Sequence, residues 1–120
     1  MTLIIGGAYQ GKLSYAKSAF HLTDAEIFTC TGAEIDFSKR CIYGLEEFAF
    51  SVPDALSYFK AHREQWRGSI LILQDIFCGV VPIEAENRAW RQNVGRLAQY
   101  LGGEAEQVIR IFCGLEQRLK

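Results

Sequence analysis

The chain has no surplus of either charge: thirteen Lys and Arg stand against fourteen Asp and Glu, a formal net charge of -1 over 120 residues. No overall field draws it to nucleic acid or to an anionic membrane, so neither is expected as a partner, and a phosphate ligand would need a local site. No apolar run approaches the length of a transmembrane helix. Met1 to Gly7 leads straight into a short apolar strand, without the basic flank and extended apolar stretch of a secretory signal. Cys30, Cys41, Cys78 and Cys113 form no C-x-x-C pair and have no histidine nearby, and each lies in or beside an apolar run. They read as reduced, mostly buried thiols of a cytoplasmic protein rather than as zinc ligands. Repeats, low-complexity tracts and linkers are also missing. What remains, 49% apolar and 22% charged residues, is a globular balance that predicts a single domain over residues 1–120.

Strand and helix signals alternate along the chain. Thr2 to Ile5 reads as a buried strand that stops at Gly6 and Gly7, and Tyr15, Ala16, Ala19 and Phe20 then share a helical face until Thr23 and Asp24 break the pattern. Glu26 to Thr31 and Arg40 to Tyr43 are further candidate strands, with a turn or a helical turn at Ile35 to Lys39. Ser51 to Arg63 reads as a helix with Pro53 in its first turn and Val52, Ala55, Leu56 and Phe59 on one face. Ser69 to Leu73 is the most strand-like run, and its unbroken Ile and Leu residues predict a central strand covered on both sides; it ends at Gln74 and Asp75. Pro82 opens a helix in which Trp90, Val94, Leu97 and Leu101 are regularly spaced and Glu84 pairs with Arg88; Gly102 and Gly103 close it. Gln107 to Cys113 reads as a last strand before a polar tail, Gln117 to Lys120. The alternation predicts an α/β fold with a mainly parallel sheet flanked by helices.

Gly6-Gly7-Ala8-Tyr9-Gln10-Gly11-Lys12 fits G-x-x-x-x-G-K between a predicted strand and a predicted helix, the context that gives this pattern its meaning. Gly6 and Gly11 permit backbone angles and close approach that a side chain would block, so successive N–H groups can converge on a phosphate. The helix opening at Lys12 adds the positive end of its dipole, and the lysine ammonium can reach the terminal phosphates of ATP or GTP. The next position, where Ser or Thr would bind Mg²⁺, is Leu13, and Ser14 is turned about 100° further around the helix. Asp75, at the end of a neighbouring strand, is the acid placed to hold the metal. Candidate site residues are therefore Gly6 through Ser14 for the nucleotide, with Lys12 and Asp75 as catalytic groups and Asp75 on the metal. Little or no Mg²⁺ dependence is expected.

Two stretches, residues 1–20 and about 69–120, resemble the bifunctional adenosylcobinamide kinase/adenosylcobinamide-phosphate guanylyltransferase family of cobalamin biosynthesis. The family's G-G-x-x-x-G-K-S loop is similar to Gly6 through Leu13. Its N-E-V-G-x-G-I-V-P segment is similar to Gln74-Asp75-Ile76-Phe77-Cys78-Gly79-Val80-Val81-Pro82. Arg88, Trp90, Arg91 and Gly95-Arg96-Leu97 follow without a gap, and Val108 to Gly114 and Arg118-Leu119-Lys120 look like the family's close. The resemblance implies a P-loop, RecA-like sheet reduced in size, nucleotide-dependent phosphorylation of a corrinoid, and a homotrimer. The family's guanylylated histidine has no counterpart between Thr31 and Glu47, where Tyr43-Gly44-Leu45-Glu46-Glu47 resembles only the remnant of a neighbouring motif. His62 and His21 read as solvent-facing, so the guanylyltransferase step is not expected.

Overall fold

The structure, a computed structural model, describes residues 1–76 and 85–120. Its centre is β1 (Thr2–Gly6), which leads through residues 7–11 into α1 (Lys12–Phe20). A short 3-10 turn precedes β2 (Ile27–Thr29), and β3 (Cys41–Tyr43) is followed by three short helices, α2 (Leu45–Ser51), α3 (Ala55–Ala61) and α4 (Arg63–Trp66). Then come β4 (Ile70–Gln74), the long α5 (Ala85–Glu104), β5 (Gln107–Phe112) and β6 (Leu115–Arg118). The six strands lie in the order β2-β3-β4-β1-β5-β6. Every pair is parallel except β5 with β6. The α/β class and the mainly parallel sheet expected from the alternation of elements are present.

Both faces of the central strands are covered, which is why they read as continuous apolar runs. Leu3 stands level with Leu71 and Val108 on one face, where Phe48, Phe59, Val94, Leu97 and Leu101 from α2, α3 and α5 pack over them. Ile4, Ile72 and Ile109 point the other way, into a smaller cluster closed by Ala16 of α1 and Leu22. Buried Asn93 of α5 fastens the first face. Its amide donates to the carbonyls of Ala49 (2.8 Å) and Val52 (2.7 Å), and its oxygen accepts from the Ala55 N–H (3.2 Å).

Several local expectations change. The helix expected from Ser51 begins at Ala55, because Pro53 lies ahead of it and Asp54 is its cap, accepting from the Ser57 N–H at 3.2 Å. Before it stands α2, which sequence periodicity did not reveal. It opens at Gly44, held at φ 85°, and is only seven residues long; Leu45, Phe48 and Ala49 are buried but so is Glu46, which blurs the apolar stripe. Gly102 and Gly103 lie inside the last turn of α5, where the Lys120 ammonium satisfies both of their carbonyls at 3.1 Å. Residues 117–120 are no loose tail: Phe112 and Leu115 flank a two-residue turn with positive φ at Cys113 (53°) and Gly114 (74°), and β6 folds back on β5.

Cys30 and Cys41 are buried and unpaired, and burial pushes their thiols up to about 12 and about 11. Cys113, at the tip of the hairpin turn, is exposed instead. Cys78, Pro82 and Glu84, and with Glu84 its expected pairing to Arg88, lie outside the described residues. Among the described residues no helix is long and apolar enough to cross a membrane.

Candidate functional site

The carboxyl end of β1 is where the connections diverge. One leads through α1 to β2 on the β3–β4 side of β1, whereas the later one, through α5, carries the chain from β4 across to β5 on the opposite side. Ligands of open α/β sheets bind in the crevice at such a switch point. Here the loop of residues 7–11 crosses the opening, beside a cavity of roughly 310 Å³. Of the residues expected to form the site, Ala8, Tyr9, Gly11, Lys12, Leu13 and Ser14 line that cavity, joined by Tyr43 and Gln74.

Gly6 acts one step back. A Cβ there would stand 2.5 Å from the Ile111 carbonyl oxygen and 3.4 Å from the Lys12 side chain, so its bare backbone lets β1, β5 and the lysine stem come together. Gly11 meets the conformational demand, at φ 92°, and caps α1 without any side-chain hydrogen bond. The first N–H groups of α1 are thus left without the side-chain oxygen that usually satisfies one of them. Tyr9 also takes a left-handed φ of 60° and holds its ring fully in solvent. Gln10 faces away from the opening: its side-chain oxygen accepts from the Cys113 N–H and its carbonyl from the Gly114 N–H (3.0 Å).

Lys12 is the centre of the site. It is only 5% exposed, and its ammonium donates to the Gly7 carbonyl at 2.6 Å, closing the loop on itself. Burial lowers its pKa below the ordinary 10.5, while Glu46 and, less strongly, Asp75 oppose the shift by favouring the charged form. Asp75 is half-buried next to the base of the loop, where its N–H donates to the Gly6 carbonyl at 2.7 Å. Glu46, at the start of α2, is 8% exposed and accepts the Gln74 N–H at 2.9 Å.

Glu46 is the residue that sequence reasoning missed. No local signal marks it: it lies beyond the end of β3, inside α2, and β4 separates β3 from β1 in the sheet. His62 is not solvent-facing. It is half-buried at the end of α3, with Nδ1 2.7 Å from the Tyr58 carbonyl and its ring stacked on Tyr58 at 4.1 Å, and it is not among the residues lining the cavity. His21 is exposed, at the αL cap that ends α1.

An anion fits this arrangement. Uncapped N–H groups, an ammonium and open space coincide, and the ammonium's present partner is a neutral carbonyl that a phosphate oxygen outcompetes electrostatically. A divalent cation fits less well. Leu13 offers hydrocarbon, partly buried against the Ile4 and Ile72 cluster, and among the described residues no group of three His, Cys, Asp or Glu side chains could hold a metal. Ser14 is exposed and lines the cavity, and among the described residues Glu46 and Asp75 are carboxylates that act on Lys12. No family model matches the chain, and no curated protein matches it significantly.

Proposed function

We propose that the chain is a cytoplasmic nucleotide-binding protein of the P-loop, RecA-like kind, related to adenosylcobinamide kinase, which takes ATP or GTP by its phosphates with little help from Mg²⁺. The observation that carries this reading is Lys12: a nearly buried ammonium at the uncapped start of α1, folded back onto the Gly7 carbonyl and facing a cavity. Among the described residues the ammonium's hydrogen-bond partner is a neutral oxygen, with the Glu46 and Asp75 carboxylates acting on it from further away, and a phosphate would add a direct charge-assisted contact. The strand order adds support, since it puts the loop at the switch point of the sheet.

On this reading Lys12 and the α1 N–H groups bind the terminal phosphates, Gly11 keeps the cradle open, and Glu46 and Asp75 stand where a nucleophile's proton or a metal-bound water would be held. Nucleotide-bound Mg²⁺ would supply charge neutralisation at the phosphates. A corrinoid hydroxyl is the acceptor that the family resemblance implies. Leu13 favours a second reading, in which the nucleotide is bound but not turned over, because the loop itself gives the metal no oxygen.

The test is a thermal-shift titration with ATP, GTP and their diphosphates on the wild type and on Lys12→Ala. Ligand at a hundred times its dissociation constant adds about 2.7 kcal/mol of stability. The wild type should show that shift and the variant should lose it. Equal shifts in both, or none in either, defeat the proposal.

A further inference from the structure

Among the described residues three large aromatic side chains stand out in solvent, and two of them have a neighbour. Phe50 meets Trp90 edge-on, with ring centres 5.5 Å apart, and the Arg110 guanidinium lies over Phe112 at 5.3 Å. The third, Tyr9, has none: it is 103% exposed, so both faces of its ring are open. Its backbone is also left-handed, at φ 60°, a conformation uncommon for any residue with a side chain and rarer for a bulky one. Nothing that packs on the ring offsets either cost.

The root of this ring is nonetheless fixed. Before it, the Lys12 ammonium holds the Gly7 carbonyl at 2.6 Å. After it, Gln10 is fastened to the hairpin turn, its side-chain oxygen accepting from the Cys113 N–H and its carbonyl from the Gly114 N–H at 3.0 Å. Tyr9 lines the same cavity as Lys12, and three residues of chain keep their Cα atoms within ~11 Å of each other. The other aromatic residue of the cavity, Tyr43, is half-buried against the Ile4 and Ile72 cluster at the end of β3, about 10 Å across the sheet from β1. The cavity thus has a fixed wall at β3 and, at its lip on the loop, an aromatic ring with both faces free.

We propose that Tyr9 is the platform on which the base of the bound nucleotide stacks. The inference rests on the reading of this cavity as a nucleotide site, with the phosphates at Lys12 and the first N–H groups of α1. A ligand anchored there leaves past the lip, where Tyr9 stands. Stacking covers apolar area on the ring and on the base together. It needs only a π face, which every base has, so Tyr9 adds affinity without choosing between ATP and GTP. The phenol oxygen has no part in it, and a phenylalanine would serve as well.

Isothermal titration calorimetry of the full chain tests this, with ATP, GTP and inorganic tripolyphosphate as ligands in the presence of chelator, and circular dichroism melts to show that each variant is folded. Tripolyphosphate offers the anionic groups without a base. Tyr9→Ala keeps a Cβ, and with it the same backbone demand, and removes only the ring. It should weaken ATP and GTP by about 5- to 100-fold each and leave tripolyphosphate unchanged. Tyr9→Phe should match the wild type with all three ligands. Tripolyphosphate binding together with any of four results leaves the phosphate cradle standing and overturns the role of Tyr9: ATP held equally by wild type and Tyr9→Ala, all three ligands weakened alike, only one of the two nucleotides weakened, or Tyr9→Phe as weak as Tyr9→Ala. A wild type that binds none of the three ligands overturns the nucleotide reading and this inference with it.

Discussion

Replacing Leu13 by serine sets two effects of similar size against each other. Leu13 is half-buried and packs on the cluster formed by Ile4, Ala16, Ile72 and Ile111. Complete burial of a leucine is worth ~1.5–3 kcal/mol, so the half-buried side chain contributes about 1 kcal/mol, and the serine protein should melt roughly 3–5 °C lower without ligand. In the loop, however, the new hydroxyl stands where an oxygen ligand to nucleotide-bound Mg²⁺ belongs, and such a charge-assisted contact is worth about 1–2 kcal/mol. The backbone cradle is untouched in either case. Nucleotide alone should therefore shift wild type and variant by the same amount, leaving the variant below the wild type. Nucleotide with Mg²⁺ should shift the variant further, bringing the two melting points together or reversing them. The assay is a pair of thermal-shift titrations, with Mg²⁺ and with chelator, read as differences from each protein's own ligand-free value. Strong Mg²⁺ dependence in the wild type, or none in the serine variant, would show that the metal is held by other groups and refute this account of the loop.

Gly6→Ala forces a methyl to within 2.5 Å of the Ile111 carbonyl oxygen and should cost ~1–3 kcal/mol in denaturant melts, whereas Gly7→Ala, whose methyl would meet only Gln10 Cγ at 3.7 Å, should be close to neutral. Asn93→Ala strands the carbonyls of Ala49 and Val52 and the Ala55 N–H and should destabilise by about 3 kcal/mol, lowering the melting temperature by roughly 10 °C. Nucleotide affinity should also depend on alkaline pH. Burial lowers the Lys12 pKa, so the free protein gives up this proton below the ordinary 10.5, and binding an anion must take it back. Affinity should then fall with rising pH earlier than an ordinary lysine predicts and should be flat in Lys12→Met; parallel curves for the two proteins would dissociate Lys12 from the ligand.

The parts of the fold that the sequence made legible are those whose signal is local and long. β4, with its unbroken apolar run, and α5, with Val94, Leu97 and Leu101 in phase, needed no tertiary information beyond burial. The loop between β1 and α1 was legible because its glycines and lysine fall in the G-x-x-x-x-G-K spacing between an apolar run and a helical one. The short helix α2 was not, since seven residues give too few turns for a period and its buried acid contradicts the pattern. Glu46 became visible only when the sheet brought Gln74 to it. β6 was hidden for a different reason: Leu115-Glu116-Gln117-Arg118 is polar because all of it is exposed, and its strand character comes from the two-residue turn before it and from β5 alongside.

The hold of Gln10 on the hairpin turn has a consequence for the order in which this protein becomes competent. The bond from the Cys113 N–H to the Gln10 side chain joins residues 103 positions apart, nearly the full length of the chain. Contacts of such separation form late in folding, because a long loop must be closed before they give any return. During synthesis the first dozen residues appear before β4 and β5, the strands that β1 pairs with, and before the turn that braces the β1–α1 connection. The loop between β1 and α1 is thus among the first segments to be made and among the last to be set.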